Sequence, residues 1–145
     1  MIDKNIADEK VESGWIRAWF AFEVLAGKES KAKSALTELM DKLDHDGRVK
    51  LYKKDFSEIK EIKKPIKDIE VGYSMACDIE LIANRFEDLI KVVIEYGPSA
   101  SEILEPANLE MKVGEAQGVL NTVSQMMHRF AAAGLGGIVV LGKKE

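Results

Sequence analysis

The stretch from Glu70 to Ala83 reads EVGYSMACDIELIA, and it alternates. Val71, Tyr73, Met75, Cys77, Ile79 and Leu81 fall on one side of an extended chain, and Gly72, Ser74, Ala76, Asp78 and Glu80 on the other. Side chains of a strand point to opposite faces in turn, so this period of two predicts a strand with one face on a core. WIRAWFAFEVLAG, from Trp15 to Gly27, repeats the pattern: Ile16, Ala18, Phe20, Phe22 and Val24 share one face, while Trp15, Arg17, Trp19 and Glu23 share the second.

Between the two strands the period changes. In KESKAKSALTELMDKLDHDG, from Lys28 to Gly47, Ala32, Ala35, Leu36, Leu39, Met40 and Leu43 recur at helical spacings, and Gly47 is expected to take a left-handed cap. RVKLYKKDFSEIKEIKK alternates weakly and is rich in lysine, which predicts a guarded edge strand with a following loop, closed by Pro65. After Ala83, Asn84 and Glu87 have capping-box spacing, Phe86, Leu89, Ile90 and Val93 form a helical stripe, and Gly97-Pro98 ends it. SASEILEP, extended by NLEMKV, is expected as a fourth strand bent at Pro106. Ala116, Leu120, Val123, Met127 and Phe130 then predict a further amphipathic helix, with Gly134 at its cap.

The order strand, helix, strand, strand, helix, strand predicts an α+β, ferredoxin-like βαββαβ sheet with both helices on one face. On that topology the first and third strands are central and the lysine-rich second is an edge. The expected organisation is one domain over 1–145, with a loose leader over 1–13, a core over 14–113, and a C-terminal helix and tail over 114–145.

At 145 residues, with 46% hydrophobic and 32% charged residues, the chain can bury a sizeable core. A net charge of −4 argues against general phosphate binding. The single cysteine, Cys77, cannot pair within the chain, which points to a reducing, cytoplasmic setting. The polar start MIDKNIADEKVES has no signal-peptide core, and the apolar run from Phe130 to Leu141 is too short and glycine-rich to span a bilayer.

AWFAFEVLAG, SMACDIELIANRFEDLIKVVIEYGPSASEILEP and LNTVSQMMHRF together resemble small conserved archaeal proteins of unassigned activity, and the resemblance implies a ferredoxin-like core. YGPSASEILEP also resembles the helix-Gly-Pro-strand ending of WYL-type regulatory modules, without their Trp-Tyr-Leu signature or a helix-turn-helix. Neither likeness carries over a functional residue.

No catalytic set stands out, and no cofactor or metal is expected. GLGGIV, from Gly134 to Val139, follows a helix and ends in valine, so it lacks the dinucleotide fingerprint. Asp44, His45 and Asp46 are neighbours on one turn and cannot converge as ligands. Cys77 lies on an apolar face, as a small hydrophobe would, and His128 flanks its helical stripe. The second sheet face is different, because Trp15 and Trp19 stand among Arg17, Glu23, Asp78 and Glu80, and large apolar groups among charges call for cover. The expectation is therefore a non-enzymatic binding or assembly module presenting this face to a ligand or protein partner. An enzyme using Glu23, Asp78 and Glu80, and RNA binding through the lysines from Lys50 to Lys67, are the alternatives. The tail residues Ile138, Val139, Val140 and Leu141 are expected to pair as an extra strand in a homo-oligomer, a dimer being the simplest.

Overall fold

A computed structural model describes residues 1–134, and the chain divides into two compact units, Met1–Leu109 and Glu110–Glu145. The first holds α1 (Lys4–Glu12), β1 (Ile16–Ala26), α2 (Glu29–Asp44), β2 (Val49–Phe56), β3 (Lys60–Lys63), β4 (Val71–Ala83), α3 (Phe86–Tyr96) and β5 (Ala100–Glu105). The second holds α4 (Val113–Ala132).

The fold is α+β, with five strands in one antiparallel sheet of order β2-β4-β1-β5, β3 also pairing with β4. β4 and β1 run alongside each other from Ile16 opposite Ala83 to Ala26 opposite Tyr73, which gives both interior positions. The lysine-rich β2 is an edge, as its composition requires. Phe20, Phe22, Cys77, Ile79 and Leu81 supply the core face, and Leu36, Met40 and Leu43 of α2 with Leu89, Val92 and Tyr96 of α3 pack onto it. Those six helical positions recur three or four apart, so each helix turns one apolar stripe to the sheet. Gly97 closes α3 at φ 62°, its N–H donating to the Val93 carbonyl at 3.0 Å, a conformation that costs residues with a Cβ.

Four expectations are corrected. The leader is not loose: α1 docks on the second sheet face, where Ala7 is fully buried and Ile2, Val11 and Trp15 pack against Tyr52 and Ile82. The stretch after β2 is not only loop, because β3 forms by backbone pairing with β4 although all four of its side chains are exposed. Gly47 makes no left-handed cap; α2 ends at Asp44 with His45 as its cap, and the Asp46 N–H donates to the Leu43 carbonyl at 3.1 Å. NLEMKV is not a strand, since β5 stops at Glu105 before Pro106, which has no N–H to continue a ladder. The expected pairing segment Ile138, Val139, Val140 and Leu141 lies outside the described residues.

In the second unit α4 carries the expected stripe of Leu120, Val123, Met127 and Phe130. Among the described residues, no helix is long and apolar enough to cross a membrane.

A polar clamp ties the α2–β2 turn to the end of α3. Arg48 donates to Asp46 through Nε at 2.9 Å and Nη2 at 2.6 Å and to Glu95 through Nη2 at 2.8 Å, and the Tyr96 hydroxyl donates to Asp46 at 2.9 Å. The Arg48 hydrogen bonds hold the Asp46 carboxyl far below the usual carboxylate range. A depressed folded value means that the clamp's contribution is complete above the unfolded value of 3.8 and is lost as pH falls through the folded one. Arg48→Ala is expected to cost about 1–2 kcal/mol at pH 7 and to reduce the fall in stability between pH 7 and pH 3. Urea unfolding at the two pH values checks both effects.

Candidate functional site

Among the described residues, those singled out from the sequence gather on the second face of the sheet. Alternation along β1 puts Arg17, Trp19, Ala21 and Glu23 there, and the antiparallel register sets them opposite Ile82, Glu80, Asp78 and Ala76 of β4. α1 covers one end. Arg17 is buried beneath it, 2.5 Å from Asp8 through Nη2 and 3.1 Å from Glu105 through Nε, with its guanidinium 5.1 Å from the Tyr52 ring centre. Trp15 lies just ahead of β1, in the α1 cluster, under the ammonium of Lys10 at 4.7 Å. Thus Trp15 and Arg17 belong to the covered end, whereas Trp19, Glu23, Asp78 and Glu80 lie beyond it.

The uncovered part has a definite cross-strand order. Trp19 stands between Glu80 of β4 and Glu102 of β5, so one row reads Lys53, Glu80, Trp19, Glu102. The next row sets Asp55 directly opposite Asp78, with Ala21 and Ala100 beyond. A register shift between Leu51 and Lys53 creates this arrangement by turning Lys53 and Asp55 to the open face. Like charges directly opposite on adjacent strands are destabilising, and Lys53, 3.6 Å from Asp55 and 3.6 Å from Glu80, offsets them in part. Trp19, Lys53, Asp55, Asp78 and Glu80 line a shallow cleft of about 80 Å³. Glu80 also accepts a hydrogen bond from the Tyr52 hydroxyl at 2.5 Å, and burial, then that bond, pushes Tyr52 up to about 12.

The geometry bears on each of the other chemistries. Glu23 does not line the cleft that holds Asp78 and Glu80. The Cys77 thiol is fully buried, and burial pushes it up to about 11, so it stays protonated near neutrality. Among the described residues no three histidine, cysteine, aspartate or glutamate side chains are grouped to hold a metal ion. His128 belongs to α4, in the second unit. Of the lysines on β2, Lys53 is engaged as above, and Lys54 lies 3.9 Å from Asp41 and 3.8 Å from Asp44.

A family model matches residues 17–144, which span every strand of the sheet and α4. The chain belongs to the MJ0538 family. This is a small conserved family of unknown function, named from an archaeal protein. Searches of curated proteins and of solved structures give no significant match to this MJ0538-family chain. The match begins at Arg17, so it takes in Trp19, Glu23, Asp78 and Glu80 but not α1. Asp8, Asp55, Glu102 and Glu105 of the site were missed from sequence. Asp8 sits in a segment without apolar periodicity, Asp55 reaches the face only through the register shift, and Glu102 is placed beside Trp19 by the β1–β5 pairing.

Proposed function

We propose that this MJ0538-family protein is a non-enzymatic binding and assembly module of ferredoxin-like topology, a cytoplasmic homo-oligomer whose open sheet face receives a cationic, partly apolar protein segment. The topological reading is supported by the order β2-β4-β1-β5 and by α2 and α3 on a single face, with α1 and β3 as additions. A reducing setting is supported by the lone buried thiol.

One observation carries the binding reading: Trp19 lies between Glu80 and Glu102, beside the opposed Asp55 and Asp78, with Lys53 as the nearby cation. Such a row costs stability in the free protein, and a lysine or arginine laid across it would relieve the repulsion and stack on the indole. The apolar part of the segment would cover Leu25, 47% exposed on the same face. Acid–base catalysis would need the carboxylates to converge around a substrate-sized pocket, and the cleft holding Asp78 and Glu80 is too small for that.

The test is fluorescence anisotropy with a labelled ten-residue peptide of alternating lysine and leucine. The full-length protein is expected to bind it at low salt, and Trp19→Ala and Asp78→Asn are each expected to weaken binding about tenfold, close to 1.4 kcal/mol. A glutamate–leucine peptide should not bind. Equal affinity of the wild type and both variants for the lysine peptide would sink the reading.

A further inference from the structure

Among the described residues the sheet ends in two edges, and they are unlike. One is formed by β2 and β3, which carry Lys50, Lys53, Lys54, Lys60 and Lys63. Lysine on an edge keeps a neighbouring strand from adding, through its charge and its long hydrated stem. The other edge is β5, whose sequence ASEILE contains no lysine, arginine or proline, and all six of its residues are exposed. Within the first unit it pairs only with β1, so the outer row of its backbone N–H and C=O groups has no strand partner there.

The surface beside that edge is apolar. Ala18, Phe20, Phe86, Leu89, Ile90, Val93 and Ile103 line a groove of about 350 Å³ between α3 and β5, with Ser101 and Glu102 at its rim. Val93 is 37% exposed and Ile103 44%, so the groove opens onto the edge. A backbone template beside an apolar groove suits a partner that brings both a strand and hydrophobic cover.

We infer that the occupant is β5 of a second copy of this chain, paired antiparallel across a two-fold axis at Ile103. This rests on the assembly reading above and adds its interface. A two-fold axis normal to a sheet keeps each residue on its own face, so it must pass midway between the two copies of a residue paired with itself. An axis at Glu102 would set two glutamates directly opposite, which is unfavourable. An axis at Ser101 would leave Ile103 across from Ser99 and outside apolar contact. An axis at Ile103 alone stacks isoleucine on isoleucine, sets Glu102 across from Leu104 of the second copy, and brings the two grooves together so that each covers the other. The edge therefore meets itself with apolar surface against apolar surface and without glutamate set opposite glutamate. The dimer joins the two sheets into one continuous sheet and leaves both Trp19 faces open.

Full-length protein with Ile103→Cys, the native Cys77 being buried, is oxidised mildly and run without reductant, beside Ile62→Cys on the lysine-guarded edge as control. Light scattering follows the oligomeric state of the wild type and of Ile103→Lys, with circular dichroism to confirm folding. The expected results are a wild-type dimer, cross-linking at position 103 and not at 62, and a dimer dissociation constant raised about tenfold or more by Ile103→Lys. A wild-type dimer without cross-linking at 103 overturns the interface and leaves the assembly reading standing. A wild-type monomer at high micromolar concentration overturns both, while the lysine-peptide result stands on its own.

Discussion

Phe22→Ala is expected to lower the free energy of unfolding by about 3–5 kcal/mol. Phe22 is 1% exposed, lies opposite Cys77 on the interior pair of strands, and meets Phe20 edge to face with ring centres 6.3 Å apart. Alanine there removes the apolar burial and leaves a cavity that the close-packed core between the sheet and the helices cannot fully close. A domain of this size is stable by about 5–15 kcal/mol, so the variant should unfold at visibly lower urea. Leu25→Ala is the comparison, because Leu25 is on the same strand but points out of the core, and its loss should stay below about 1 kcal/mol. If the two variants unfold together, β1 does not present its aromatic face to the core.

Arg17→Ala is expected to cost about 2–4 kcal/mol and to release α1. The guanidinium links three elements, through Asp8 of α1, Tyr52 of β2 and Glu105 of β5, and its stem fills space beneath the helix. Its carboxylate partners are on the exposed side, so they regain water when it is removed, which keeps the cost below that of a sealed ion pair. Arg17→Met should lose less, because it keeps the packing. The Arg17 hydrogen bond holds the Asp8 carboxyl below its usual value, so this contribution is present above the unfolded value of 3.8 and disappears as pH falls through the folded one. Both variants should therefore lose part of the acid sensitivity of the wild type. Limited proteolysis within residues 1–13, with unfolding at pH 7 and pH 3, separates a freed helix from global loss. Unchanged protease resistance in Arg17→Ala would show that α1 is held by Ala7, Val11 and Trp15 without it.

What the sequence made legible is what local periodicity controls. The alternation in β1 and β4 named both faces residue by residue, and the lysines of β2 named an edge, because burial on one side of a strand forces that pattern. The stripes of α2, α3 and α4 were readable for the same reason. α1 was not, since KNIADEKVE has few apolar residues and becomes a docked helix only through Tyr52, Ile82 and Arg17, all distant in sequence. β3 was hidden because its stabilisation is backbone pairing with the lower half of β4, and KEIK buries nothing. Within the site, Trp19, Asp78 and Glu80 followed from alternation. The burial of Arg17 did not, because it depends on a carboxylate from α1. The opposition of Asp55 and Asp78 depends on one extra residue in β2, which alternation cannot reveal.

The interior place of β1 has a consequence for synthesis. Its neighbours are β4 and β5, which begin at Val71 and Ala100, so β1 leaves the ribosome well before either exists. α2 can shelter Phe20 and Phe22 only on one side, and both long edges of β1 remain unpaired until Ala83 has been made. Pairing of β2 and β3 with β4 closes much shorter loops and can form first. β1 can then join β4 after β2 and β3 have done so, its other edge stays open until β5 is made, and for that interval this aromatic segment is open to capture by a neighbouring chain.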